Sequence, residues 1–205
     1  MAKIIFFGGT GMTGQCAVRS ALEKGLKVRL LIRNESTVPD DFADKVELVK
    51  GDVTSLDDVR NAIKGQELVC VALGTRNDLK PTTVLSDGIK NIITAMKEEK
   101  LKKISVCLSA FLFYEVDKVP KVFADLNADH QREFDALKVS ELEYRAVFPP
   151  HIADEPPAEF EIAYDKSPGS SRSISKLDLG KFLIDCLFDD KHAGKVIGIC
   201  TIKKA

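Results

Sequence analysis

Short apolar runs of strand length recur along this chain, and longer amphipathic stretches separate them. Lys3–Phe7 reads as a buried strand, and Met12–Lys24 as a helix closed by Gly25 in a C-cap role. Val28–Ile32 and Val46–Val49 are further strands, the latter followed by Gly51-Asp52-Val53. Leu56–Ile63 reads as a short helix before Gly65, and Leu68–Leu73 as a fourth strand. Between Pro81 and Glu99, apolar residues at Val84, Leu85, Ile89, Ile92, Ile93 and Met96 step by threes and fours, which marks one helical stripe. Ile104–Leu108 is a fifth strand, Val122–Lys138 a helix and Glu143–Phe148 a sixth strand. Strands that are apolar throughout are covered on both faces, and parallel strands joined by helices must cross over right-handedly. The pattern therefore predicts an α/β fold: a doubly wound parallel sheet with helices on both faces. At 205 residues the chain suits one domain, 1–205.

Beyond Pro149-Pro150 the pattern loosens. Residues 151–173 are rich in Pro, Gly and Ser, with a short strand around Phe160–Tyr164. Ser175 to Asp178 resembles a capping box, with Asp at the third position, ahead of a helix over Leu179–Phe188; Val196–Cys200 is a last strand. The segments at about 111–130 and 151–175 read as substrate-side elaborations of the domain.

A formal charge of -1 gives no electrostatic reason for nucleic acid or an anionic membrane as partner. No apolar run is long enough for a membrane span, and the N-terminus lacks the pattern of a secretory signal. Five scattered cysteines without a C-x-x-C pair and three histidines argue against a disulfide framework and a metal centre. Cytoplasmic residence is the expectation, with the cysteines, Cys107 and Cys186 among them, as small buried hydrophobes. No long heptad demands a dimer, so a monomer is expected.

The first strand runs into Gly8-Gly9-Thr10-Gly11-Met12-Thr13-Gly14 and then a helix. In that context Gly8 makes the turn, Gly11 lets a pyrophosphate approach the backbone, and Gly14 lets the helix pack tightly. The unpaired N–H groups of the helix N-terminus favour phosphate, and the hydroxyls of Thr10 and Thr13 add donors. At the end of the second strand stands Arg33, where NAD-binding folds usually carry an acid that grips the ribose. A guanidinium there suits the 2′-phosphate of NADP. Ligands of open parallel sheets bind beyond the carboxyl ends of the strands. The residues there are Asp52 and Val53, an adenine contact; Leu73, Gly74, Thr75 and Arg76; Ser109, Ala110 and Phe111, with Cys107 behind Ser109; and Pro149, Pro150 and His151. His130 shares a helical face with Phe123, Leu126, Phe134 and Leu137, which suits a packed histidine and a site residue equally.

Several segments together resemble the biliverdin-IXβ reductase family of NADPH-dependent flavin reductases, atypical short-chain dehydrogenase/reductases of Rossmann fold. They are FGGTGMTG, GDV at 51–53, LGTRNDLKPTTVLSDGIKNI at 73–92, CLSAFL at 107–112, DH at 129–130, PPHI at 149–152 and ISKLDLG at 174–180. The resemblance implies hydride transfer from NADPH to a planar acceptor. That acceptor is a flavin (FMN, FAD or riboflavin), held as substrate and not as a prosthetic group, or a linear tetrapyrrole such as a non-α biliverdin. It implies that Cys107, Ser109, Pro150, His151 and Ile152 line the cofactor pocket, with Ser109, His151 and Cys107 nearest the chemistry. Phe111, Ala110, His130 and Arg76 then border the acceptor. Thr37 departs from the family, which can place a second Arg there against the 2′-phosphate. Proximity and orientation supply most of the rate in such a reaction, and water can deliver the proton.

Two rivals follow from the same residues. A non-catalytic NADP-sensing regulator would share the glycine loop. An epimerase or alcohol dehydrogenase would use Tyr114 and Lys118 as a Y-x-x-x-K pair, but that pair needs a helix, and Pro120 discourages one.

Overall fold

The computed structural model describes residues 1–42, 44–75 and 78–203. Six strands alternate with helices in chain order: β1 (Lys3–Phe7), α1 (Met12–Glu23), β2 (Lys27–Ile32), β3 (Val46–Lys50), α2 (Leu56–Ile63), β4 (Leu68–Val71), α3 (Val84–Glu98), β5 (Lys103–Cys107), α4 (Ala124–Lys138) and β6 (Glu143–Phe148). There follow β7 (His151–Ala153), β8 (Phe160–Tyr164), β9 (Ser173–Ser175), α5 (Lys176–Asp185) and β10 (Lys195–Thr201). The main sheet runs β3-β2-β1-β4-β5-β6-β10-β8, parallel except for β8, which lies antiparallel to β10 at the edge. Strand order reverses between β1 and β4, where such sheets open a crevice for a nucleotide.

Side-chain alternation explains why the strands are apolar throughout. Ile4 and Phe6 of β1 point to one face, where they meet Ala17, Val18 and Ala21 of α1 and Leu179 and Leu183 of α5. Ile5 and Phe7 point to the other face, against Val59 and Ile63 of α2, Ile89 and Ile92 of α3 and, further along, Leu137 of α4. Among the described residues no helix is long and apolar enough to cross a membrane.

The α1–α5 contact depends on Gly180. A Cβ there would come 2.5 Å from Cys16 Cβ and 2.7 Å from the Ala17 backbone nitrogen. The two helices thus approach to a distance that only glycine permits.

The structure corrects the sequence reading after Pro150. Residues 151–173 are not irregular throughout: β7 and β9 form a separate two-stranded parallel sheet, with His151 opposite Ser173 and Ala153 opposite Ser175. Three-residue strands carry too little periodicity to stand out against a Pro/Gly/Ser-rich background. The helix expected from Leu179 begins at Lys176 and passes into a 3₁₀ turn at Cys186–Phe188. Ser175 does cap it, accepting from Leu177 N at 3.2 Å. Asp178 does not complete a capping box, because its carboxylate instead receives Ala158 N at 2.9 Å and ties down the preceding loop. The helix expected from Val122 starts at Ala124 after a 3₁₀ turn over Lys121–Phe123, since Pro120 holds the chain extended just before it. The fourth strand stops at Val71, two residues short of the apolar run.

Gly180→Ala should cost about 1–3 kcal/mol by overpacking the α1–α5 contact, read as a lower urea midpoint with an unchanged slope. A change below about 0.5 kcal/mol would show that these helices can separate freely.

Candidate functional site

The glycine loop leaves β1 at Gly8, whose φ of +88° lies in the left-handed region. A Cβ on Gly8 would lie 2.3 Å from the Ala72 carbonyl oxygen at the end of β4, and one on Gly14 only 2.1 Å from the Gly8 oxygen. Gly11 N donates to the Gly8 oxygen at 3.0 Å and closes the turn. Gly11 itself is different: a Cβ there would meet nothing nearer than the Gly8 oxygen at 3.4 Å. Gly8 and Gly14 are therefore required by the fold, while Gly11 is not. Thr13 is buried, Thr10 half-buried and Met12 exposed at the head of α1. The first turn of α1 has no acidic residue and no side-chain cap among the described residues, so its N–H groups and positive dipole end suit a phosphate. The loop thus fits the pyrophosphate of a dinucleotide.

Arg33 follows β2 directly and is exposed. Asn34 shapes the next turn, its Oδ1 accepting from Ser36 N at 3.0 Å and its carbonyl from the Thr37 hydroxyl at 2.7 Å. At the end of β3, Asp52 Oδ1 accepts from Thr54 N at 2.9 Å and from the Thr54 hydroxyl at 2.7 Å. Those two bonds, with help from the nearby Arg33 guanidinium, hold the Asp52 carboxyl below its ordinary value. Arg33 and Asp52 thus share one corner of the site. Asp58 Oδ2 accepts from Asp52 N, and a Cβ on Gly51 would press to 2.7 Å from Asp58 Cβ, which accounts for the glycine of the GDV segment. Buried Val53 is pinned to α3 through its carbonyl, which accepts from Asn91 Nδ2 at 2.9 Å.

After β4 the chain passes through half-buried Leu73, exposed Gly74 and half-buried Thr75; Arg76, the residue expected to attract anionic groups, lies outside the described residues. After β5, Ser109 accepts from Phe111 N at 3.2 Å and caps a 3₁₀ turn over Ala110–Phe113. Ala110 N donates to the Pro149 carbonyl at 2.9 Å, so the CLSAFL and PPHI segments are bonded neighbours. His151 is exposed at the start of β7, with its N–H donated to the Arg172 carbonyl, and Pro150 and Ile152 beside it are half-buried. Cys107 is buried in the α1–α5 core, and burial pushes its thiol up from the ordinary range. It packs there as a small hydrophobe, as the sequence suggests for the cysteines, and burial does not favour a thiolate.

Helix α4 walls the far side. Its Phe134 ring sits 5.1 Å from Phe148, and Phe148 sits 4.8 Å from Phe113. Phe111 and Phe123 pair at 5.3 Å. His130 is buried, its Nδ1 3.0 Å from Glu133 Oε2. Asp129 is fully buried and accepts from Leu85 N at 3.0 Å, so it caps α3 from another helix. Sequence reading passes over Glu133 and gives Asp129 no role beyond the DH segment, because an acid on a helix is ordinarily a solvated one.

Tyr114 has extended backbone and is 50% exposed, and Lys118 ends a separate 3₁₀ turn. No helical turn joins the two. Two surface hollows lie elsewhere: one of about 600 Å³ lined by Pro157, Phe160 and Ile202, and one of about 430 Å³ at the amino ends of β4, β5 and β6.

A strand reversal between β1 and β4, a glycine loop shaped for a pyrophosphate and an arginine directly after β2 are features of a dinucleotide-binding α/β domain. The chain belongs to the NAD(P)H-binding family, whose model matches residues 8–190. It is 24% identical over 225 residues, 99% of this chain and 78% of the relative, to an uncharacterised chloroplastic protein of Arabidopsis thaliana. Among solved structures it is similar to a Rossmann-fold NAD(P)-binding family protein from Shigella flexneri, with a TM-score of 0.80, 21% identity and coverage of 100% and 98% of the two chains. It is also similar to a short-chain dehydrogenase/reductase from Veillonella parvula in complex with NADP, with a TM-score of 0.81, 16% identity and coverage of 97% and 94%.

Gly11→Ala separates a binding loop from a bare turn. It should leave stability within about 0.5 kcal/mol, since nothing in the fold opposes the methyl, yet weaken NADPH binding by about tenfold or more in calorimetry. Equal NADPH affinity in the variant would make the loop a structural turn. Arg33→Asp should weaken NADPH far more than NADH, by about 1.5–3 kcal/mol for a lost charge-assisted contact. Equal losses for both would remove Arg33 from the 2′-phosphate.

Proposed function

We propose that the protein is an NADPH-dependent reductase that transfers hydride to planar conjugated acceptors, flavins and non-α biliverdins. The observation that carries this reading is the bonded junction of Ser109–Phe111 with Pro149–His151 at the carboxyl ends of β5 and β6. It supports the reading because CLSAFL and PPHI, two of the segments that carry the family resemblance, are bonded neighbours at the carboxyl edge of the sheet, where the glycine loop also lies. In this reading the α1 N–H groups hold the pyrophosphate, Arg33 the 2′-phosphate and Asp52 and Val53 the adenine end. The bound nicotinamide supplies the hydride.

The protein's own part is to bind and orient. The 3₁₀ turn fixes Ser109 through its cap to Phe111 N, so its hydroxyl has a set position at the surface where the acceptor lies. Phe111 and Phe123 offer an apolar ring surface that suits a flat heteroaromatic ligand. A hydroxyl-directed dehydrogenase would need Tyr114 and Lys118 on one helical turn, and they are not so arranged.

NADPH oxidation measured with FMN, biliverdin-IXβ and a simple aldehyde in parallel tests the proposal. Turnover with FMN and biliverdin and none with the aldehyde is expected. Turnover with the aldehyde alone would overturn the choice of acceptor, and NADPH binding without any turnover would favour a sensor of the cofactor. Ser109→Ala should lower kcat by about tenfold or less, as orientation and not acid catalysis is its role.

A further inference from the structure

Helix α4 holds a polar pair that binding and orientation leave unused. Glu133 is 1% exposed, and its Oε2 lies 3.0 Å from His130 Nδ1 across one helical turn. Its second oxygen, Oε1, is buried without a hydrogen-bond partner among the described residues. Access is one-sided, for the His130 side chain is 11% exposed.

The groups around the pair are few. Asp129, on the same helix, is already committed to Leu85 N, the Ser86 hydroxyl and Arg132. Its negative charge, like burial, disfavours a second carboxylate at Glu133. From β5 comes the buried Cys107 thiol, which feels the charge of Glu133. Burial pushes Glu133 above the ordinary carboxyl range, and the bond to His130 pulls it back. One proton held across the 3.0 Å contact reconciles the two. If it sits on Oε2, the imidazole is neutral with hydrogen on Nε2. If it sits on Nδ1, the ring is a cation and Nε2 again carries hydrogen. Either way the ring presents a donor at Nε2.

We propose that Glu133 is a positioning residue that makes His130 the internal proton donor of this site. The proposal rests on the reductase reading. Hydride brings the acceptor two electrons and one hydrogen and leaves it one negative charge. That charge takes the proton from His130 Nε2, the shared proton settles on Nδ1, and the pair is left as a carboxylate beside a neutral imidazole. Solvent reaching the His130 edge restores the proton, so protons and electrons balance with no further reactant. The place is suitable: α4 packs on Phe148 through Phe134, and Phe148 abuts the turn that Ser109 caps.

The test combines imidazole ¹⁵N spectra of the cofactor-free protein with kcat and KM against pH, for wild type, Glu133→Met and Glu133→Gln. Wild type should show protonated Nε2 throughout the neutral range. Glu133→Met should show averaged tautomers at His130. With FMN, kcat should fall about tenfold in both variants and its pH profile should move, while KM stays within about twofold. Glu133→Gln can hold the ring but has no proton to share, so it separates proton supply from folding. Identical His130 spectra in wild type and Glu133→Met would overturn the fixed donor. An unmoved kcat profile in both variants would overturn the proton role. A wild-type chain inert toward every acceptor would overturn the reductase reading and the donor role with it, while the spectra would still decide whether Glu133 fixes the ring.

Discussion

Backbone meets backbone where β1 ends, and much of the site depends on that contact. Gly8 turns the chain with a positive φ against the Ala72 carbonyl, and Gly14 seats α1 on the Gly8 oxygen at a distance no Cβ would allow. Three consequences follow. The dipole end of α1 opens into the crevice between β1 and β4. The helix lies low enough on the sheet for Ala17, Val18 and Ala21 to close the core. And α5 can reach α1 through Gly180, which carries the β7–β9 sheet and His151 towards the same end of the molecule. A methyl group at Gly8 or Gly14 would act on all three, because backbone cannot move aside as a side chain can.

The two sides of the site are built differently. On the β1–β3 side, short hydrogen bonds set each turn: Gly11 to Gly8, Thr54 to Asp52, Asp52 N to Asp58. Such turns hold their geometry before any ligand arrives, which lowers the entropic cost of binding. On the β5–β6 side the chain passes through consecutive 3₁₀ turns between Ala110 and Phe123, with Tyr114, Val116 and Val122 exposed. The two sides thus differ in construction: hydrogen-bonded turns on one, short 3₁₀ turns with exposed apolar side chains on the other.

Within α4 the polar residues play opposed parts. Asp129 is saturated: it receives a backbone N–H, a hydroxyl and a guanidinium, and so caps α3. Glu133, one turn on, has only His130 and an oxygen left without a partner. The difference comes from neighbours and not from residue type, since both are fully enclosed acids. Partner count decides which buried carboxyl keeps a fixed charge and which can hold a proton.

Much of this was legible in the chain itself. Alternation of continuous apolar strands with amphipathic helices leaves a doubly wound parallel sheet as the economical way to bury both faces. Glycines placed between the first strand and the first helix mark the phosphate turn, since residues without Cβ are needed where backbones touch. Arg33 is read from position alone, because strand ends in such a sheet converge. Other features required the folded molecule. The β7–β9 pair joins residues 151–153 to 173–175, and contacts across such a separation leave no local period to read. Asp178 resembles half of a capping box in the sequence, yet a loop twenty residues earlier claims its carboxylate. Burial and partnership set Asp129 apart from Glu133, and neither quantity is a property of a residue taken singly. The sequence determined where backbone must come close; the tertiary structure decided which side chains lost water, and that loss raised the proton affinity of Glu133 and Cys107.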